Sequence, residues 1–212
     1  YPVPMSMSVI EAEMTEMDKR ARPELERIAR GIFALPNVEL ASHTYSHPYF
    51  WSHVDPDTGI KLGPEELGEW YTAGTSSLDI PGYGFDIDRE ISGSIDYINR
   101  ELAPPGKQVK AIFWSGDAIP PRIGLQKAAA AGVLNINAGN TTITRSSNTW
   151  TQIGPYGVAK GKTDDEYQVY AAVMNENVYT NDWTGPFYGF RRAQETFELT
   201  DRPLRIKPIN IY

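Results

Sequence analysis

The chain has 212 residues, 41% of them hydrophobic, and a formal net charge of −7. That is enough apolar material for one sizeable core, but it is too acidic for a nucleic-acid or anionic-membrane surface, both of which need clustered Lys and Arg. With no cysteine, a disulfide framework and a thiolate metal site are both excluded, so any bound metal must rest on His and carboxylates.

No apolar run is long enough to span a membrane, and the N-terminus lacks the basic and apolar regions of a signal peptide. The chain opens on Tyr1 rather than Met, which predicts a piece of a longer protein. From Pro4 onward Met5, Met7 and Val9 alternate with Ser6 and Ser8, predicting a strand with one buried face that ends at Glu11 to Glu13. Pro23 suits the first turn of a helix whose stripe is Leu25, Ile28, Ala29, Ile32 and Phe33. Pro36 and Asn37 stop it, and Val38 to Ala41 reads as the next strand.

Residues 52–83 are rich in Gly, Pro, Asp and Thr and read as an insertion, with a short helix around Pro64 to Tyr71. Asp86, four residues before Glu90, opens a helix striped by Ile87, Ile91, Ile95 and Ile98, ended by Pro104-Pro105-Gly106. Val109 to Trp114 is an apolar strand. Pro120-Pro121 starts a helix through Ala131, Gly132 terminates it, and Val133 to Asn137 is another strand. Val169 to Met174 and Arg205 to Ile211 complete the strands, joined by a helix over Gly189 to Leu199. Strands alternating with helices predict an α/β class with a parallel sheet, in one domain over residues 1–212.

In such folds ligands gather at the carboxyl ends of the strands. The ends supply His43 and His47, Ser115 and Asp117, Asn137 and Asn140, and Glu176 and Asn177. Two of the three histidines stand four apart in Ser42-His43-Thr44-Tyr45-Ser46-His47-Pro48, and one helical turn there would converge both imidazoles on a single metal ion. Ordinary half-buried packing of the two rings is the alternative. His53 is a more distant third histidine. Asp117, three residues before Pro120, suits either a site carboxylate or a helix cap.

The His43-Thr44-Tyr45-Ser46-His47 phrase resembles the His-(Ser/Thr)-x-x-His motif of NodB-type polysaccharide deacetylases. Together with Leu35 to His43 and Phe113-Trp114-Ser115-Gly116-Asp117-Ala118, it is most similar to the deacetylase-like domains of Pel exopolysaccharide proteins. The resemblance implies a distorted (β/α)7 barrel, incomplete here, with His43 and His47 binding a divalent metal, zinc being the best match. It implies metal-dependent N-deacetylation of an acetylated amino-sugar polysaccharide in a biofilm matrix, at a periplasmic or extracellular location. It also makes Asp117 a candidate catalytic residue and Trp114, Ser115, Asn137 and Asn177 candidate substrate contacts.

The family's Asp-Asp motif belongs on a strand before Met5, and its final His motif follows the last strand, so the resemblance implies a domain truncated at both ends. Two other functions stay open. Trp51, Trp70, Trp114, Trp150 and Trp183 with twelve tyrosines would suit a catalytically silent glycan-binding domain. Another metallohydrolase, acting on a small amide, would use a similar barrel.

Overall fold

The computed structural model describes residues 3–63, 78–137, 141, 143–170 and 189–205. By compactness the chain divides into two units, one of Tyr1–Ile136 with Ala159–Gln168 and one of Asn137–Val158 with Val169–Tyr212.

The first unit is an α/β layer around a parallel sheet. Strands β1 (Met5–Val9), β2 (Val38–Ser42), β3 (Val109–Phe113) and β4 (Leu134–Ile136) follow one another in spatial order β1-β2-β3-β4, every neighbouring pair parallel. Parallel neighbours need long crossovers. Helix α2 (Arg22–Phe33), the helical run α3 over residues 87–102, and helix α4 (Arg122–Ala130) supply them. The register runs regularly from Met5 opposite Val38 to Val9 opposite Ser42. Between β2 and β3 it slips: Leu40 lies opposite Val109, but Ala41 lies opposite Ala111, so Lys110 is an extra residue in β3.

The core lies between β2 and β3 and the helices, with Phe33, Leu40, Ile91, Ile98, Leu102, Ile112 and Leu125 essentially inaccessible to solvent. The predicted helices arise where the punctuation put them. Asp86 caps α3 by accepting from the amides of Asp88 (2.8 Å) and Arg89 (3.0 Å). Helix α4 ends in a Schellman motif, with the Val133 amide on the Ala128 carbonyl and the Gly132 amide on that of Ala129, and Gly132 takes the left-handed conformation this needs. Lys107 closes α2 from across the fold, its Nζ donating to the carbonyls of Phe33 (2.9 Å), Leu35 (2.5 Å) and Val38 (2.8 Å).

Three expectations change. The residues after β1 form a short helix, α1 (Glu11–Thr15), where the charge-rich composition suggested only the end of a strand. The alternation in β1 does not give one buried face. Met5 is 49% exposed, because β1 is covered on one edge by β2 alone, and Met7, Ser8 and Val9 line an apolar groove with Leu25, Ile28 and Ile32 of α2. Finally, α3 is not a uniform α-helix. π-helical turns at Arg89–Gly93 and Ile98–Leu102 flank the α-helical Ser94–Tyr97.

In the second unit α5 (Gly189–Leu199) occupies the predicted span. Thr196 Oγ1 donates to the Ile143 carbonyl at 2.7 Å, and Arg145 pairs with Glu195 and Glu198. Two further short strands, β5 (Gly157–Ala159) and β6 (Tyr167–Val169), neither confined to one unit, form a two-stranded ladder. The helix expected at Pro64 to Tyr71 and nearly all of the final strand from Arg205 to Ile211 lie outside the described residues. Among the described residues no helix is long and apolar enough to cross a membrane.

Candidate functional site

Strand β2 delivers the histidine pair. The β1–β2 ladder runs one step past the strands through the His43 amide on the Val9 carbonyl (3.0 Å). There the His43 ring reaches sideways to the end of β3, with Nδ1 2.8 Å from the Phe113 carbonyl. A carbonyl oxygen can only accept, so Nδ1 carries the proton and Nε2 the lone pair. Burial, and secondarily the neighbouring His47, pulls the His43 pKa down to about 4. Burial lowers that of His47 as well, so both rings are neutral at pH 7.

The two rings do come together, with centroids 4.8 Å apart and planes inclined at 70°. The route is not the helical turn that the four-residue spacing suggested. Residues 43–50 are irregular, and the chain doubles back through left-handed residues at Thr44 (φ 72°) and His47 (φ 54°). A β-branched residue in that region is strained, and strain of this kind is held only where the surroundings over-determine the backbone.

They do so here. The Thr44 amide donates to Ser42 Oγ, which also bonds Ser94 Oγ. The carbonyls of Thr44 and Tyr45 accept from the amides of Glu11 and Ala12, which open α1 without any side-chain cap. The Ser46 carbonyl accepts from Leu78. The remaining two amides, of Tyr45 and Ser46, donate to Glu90 Oε2 at 3.0 and 2.9 Å. Every backbone polar group of residues 44–46 is thus satisfied. Among the described residues the exception is a side-chain atom, the buried Oγ1 of Thr44, which has no hydrogen-bond partner.

Glu90 was absent from the sequence-level candidates. It is fully buried, and its Oε1 receives the hydroxyls of Ser46 and Tyr83 (2.8 Å for the latter). Burial raises its pKa, against the opposing effect of these donors. Its place was visible in principle, since position 90 falls inside the Ile87, Ile91, Ile95 stripe where a carboxylate can only be buried.

The loop after β3 braces the other side. Ser115 Oγ donates to the Pro48 carbonyl (2.6 Å) and accepts from Trp51 Nε1 (3.1 Å). Asp117 meets the two demands set for it differently from either expectation. Its carboxylate accepts from the amides of Trp51 (3.0 Å), Ser52 (3.1 Å) and Ile119 (3.0 Å) and from Ser52 Oγ (2.5 Å). Helix α4 begins instead from Pro121 with no side-chain cap. Gly116 (φ 58°) lies against Tyr49, whose carbonyl oxygen would stand 2.1 Å from any added Cβ. Lys160 is near enough to feel the Asp117 charge, while burial lowers its pKa.

Of the proposed substrate contacts, Trp114 and Ser115 are fully buried. Trp114 packs edge-on against Trp51 at 5.1 Å and donates Nε1 to Asn135 Oδ1 (3.1 Å). Asn137 belongs to the second unit, buried, with its amide on the Val169 carbonyl. Asn177 lies outside the described residues, as do Asn140 and Glu176. His53 stacks on Phe50 with centroids 4.6 Å apart.

In ring spacing the histidine pair matches two donors to one divalent metal. Two imidazoles sharing one tetrahedral zinc at about 2.0–2.1 Å have ring centroids roughly 5 Å apart, and the observed spacing is 4.8 Å. Both rings are neutral, and His43 has the backbone carbonyl on its second nitrogen that fixes a ligating tautomer. Among the described residues no group of three or more His, Asp or Glu side chains is assembled, so a third protein donor is not found there. Comparison with protein-family models, with curated proteins and with solved structures gives no match.

Proposed function

We propose that this chain is the metal-binding part of a hydrolase that removes acetyl groups from an N-acetylated amino-sugar polysaccharide, and that its four parallel strands are a sector of a distorted (β/α)7-type barrel. One observation carries the reading: two neutral imidazoles, His43 buried and His47 partly buried, with ring centroids 4.8 Å apart on the carboxyl edge of a parallel sheet, the first with its tautomer fixed by Phe113. A divalent ion, zinc being the best match to imidazole donors, supplies Lewis acidity and an activated water for amide hydrolysis when bound. His43 and His47 hold it. Asp117 fixes the β3 loop, and the third donor and the carboxylate that moves the proton come from outside the described residues. An extracytoplasmic, exopolysaccharide setting belongs to the same reading.

The test combines zinc titration against a chromophoric chelator with acetate release from acetylated glucosamine and galactosamine oligomers. Expected are one zinc per chain, lost in His43→Ala and in His47→Ala, and chelator-sensitive acetate release. Undiminished zinc binding in both variants would overturn the reading. A second reading, a silent glycan-binding domain, is favoured by Trp150, 69% exposed, with the exposed Tyr156 in the same unit. Oligomer binding indifferent to chelator, without acetate release, would select it.

A further inference from the structure

We infer that Glu90 is the positioning residue of the His43–His47 pair, setting the separation of the two imidazoles by gripping the backbone between them; its relevance to metal rests on the function proposed above. The histidines are joined by three residues, and two of them, Tyr45 and Ser46, give their amides to Glu90 Oε2. Ser46 also gives its hydroxyl to Oε1, where Tyr83 adds a fourth donor. The carboxylate comes from a different element, 44 and 45 residues away in sequence, on a π-helical turn that departs from regular helix at this point. π-helical turns recur at functional sites because the wider turn re-aims a side chain.

The residue type is dictated by the donor count. Four donors converge on two oxygens, and only an ionised carboxylate accepts at every site. A glutamine that kept its oxygen on the two amides would present its NH2 to the two hydroxyls, which would have to reverse from donors to acceptors, and the opposite orientation would set the NH2 against the two amides. Among the described residues no Lys or Arg forms an ion pair with Glu90, and neighbouring Arg89 is engaged with Glu11. Burying such a carboxylate is costly, and a core that needed only filling would be served by another isoleucine of the α3 stripe. What the carboxylate adds is a fixed path for residues 44–46, including the left-handed turn at Thr44.

The test compares the wild-type chain with Glu90→Gln, Ser46→Ala and Tyr83→Phe, and with Lys107→Gln as a control that weakens the α2 end of the same fold. Two quantities are read at a temperature where circular dichroism shows each protein folded: zinc affinity by chelator competition, and the ring resonances of the histidines in metal-free protein by NMR. Expected is a 10–100-fold loss of zinc affinity in Glu90→Gln, the range typical of removing an outer-shell partner. Smaller losses are expected in Ser46→Ala and Tyr83→Phe. The His43 and His47 resonances should shift in all three, and Lys107→Gln should change neither readout.

Wild-type affinity and unshifted resonances in folded Glu90→Gln would overturn the inference, as would equal changes in Lys107→Gln. If Glu90→Gln does not fold, Ser46→Ala and Tyr83→Phe decide, and wild-type values in both would overturn it. If the wild-type chain takes up no zinc, the metal reading fails by itself, and the resonances still decide whether Glu90 sets the pair.

Discussion

The His43 ring donates from Nδ1 to the Phe113 carbonyl at 2.8 Å, a bond that crosses from the end of β2 to the end of β3. It holds a neutral imidazole in a buried setting, and that has a consequence in acid. The unfolded chain takes up a proton near pH 6.5 and the folded one only near 4. In that window the unfolded state binds more protons, so the stabilisation is complete above about 6.5 and is lost as pH falls towards 4. The difference corresponds to roughly 3 kcal/mol. Urea unfolding across this range should give a stability that declines more steeply for wild type than for His43→Gln. Glu11 and Glu90, whose raised pKa values act with the opposite sign, are common to both proteins and cancel. Parallel pH profiles for the two would refute the assignment.

Asp117→Asn keeps the shape of the side chain but turns an amide NH2 towards donors that the carboxylate now satisfies, the amide and hydroxyl of Ser52. A loss of about 1–3 kcal/mol is expected. Because the carboxylate is directed at backbone amides, zinc affinity of the folded variant should stay within a factor of a few of wild type. Loss of zinc affinity with little loss of stability would reverse this and make Asp117 part of the site.

Gly116→Ala should be among the most damaging small changes in the chain. The position has φ 58°, and the new methyl would meet the Tyr49 backbone rather than a side chain that can swing away. Strain and clash together should cost at least about 2 kcal/mol. Since Tyr49 and Asp117 are bonded through the Tyr49 carbonyl at 2.7 Å, the variant should also expose Trp51, which a red shift in tryptophan fluorescence at low denaturant would register. A variant of wild-type melting temperature would mean that the two loops do not pack as described.

Arg89→Met removes the guanidinium that pairs with the buried Glu11 and lies 3.8 Å over the Tyr45 ring. Burial raises the Glu11 pKa, with Arg89 the main opposing influence. Stability should fall by on the order of 2–4 kcal/mol, below the full loss for a wholly buried pair because Arg89 is part exposed. The deficit should shrink as pH falls and Glu11 is neutralised, and Glu11→Gln combined with Arg89→Met should recover part of it. Thermal melts of the single and double variants check both points.

What could be read from the sequence was whatever local chemistry decides. Pro23, Asp86, Pro121 and Gly132 marked helix ends by their backbone and capping properties, and β2 and β3 were legible as short apolar runs. The histidine pair was legible as a spacing. Its geometry was not, because the convergence depends on left-handed Thr44 and His47, a conformation that a β-branched threonine rarely takes and that a histidine takes more often than most but still uncommonly. That conformation is imposed by partners far along the chain, Glu11, Ala12, Leu78 and Glu90. The roles of Ser115 and Asp117 were ambiguous for the same reason: a polar residue at a strand end can face a ligand or a neighbouring loop, and the choice is made by the 48–52 segment they hold. The π-helical turns of α3 were hidden because the isoleucine stripe at spacings of four and three reads as an ordinary helix.

The extra residue in β3 acts as a phase adjustment between two strands. Had the register set by Leu40 opposite Val109 continued unbroken, His43 would fall level with Ile112. With Lys110 looped out, Ser42 lies opposite Ile112 and His43 draws level with Phe113, whose carbonyl its ring engages. Pairing all residues of β3 in that unbroken register would leave Ser42 to Pro48 intact letter for letter and yet present its imidazole to a different carbonyl. The site is therefore written as much in the count of residues along a neighbouring strand as in the two histidines themselves.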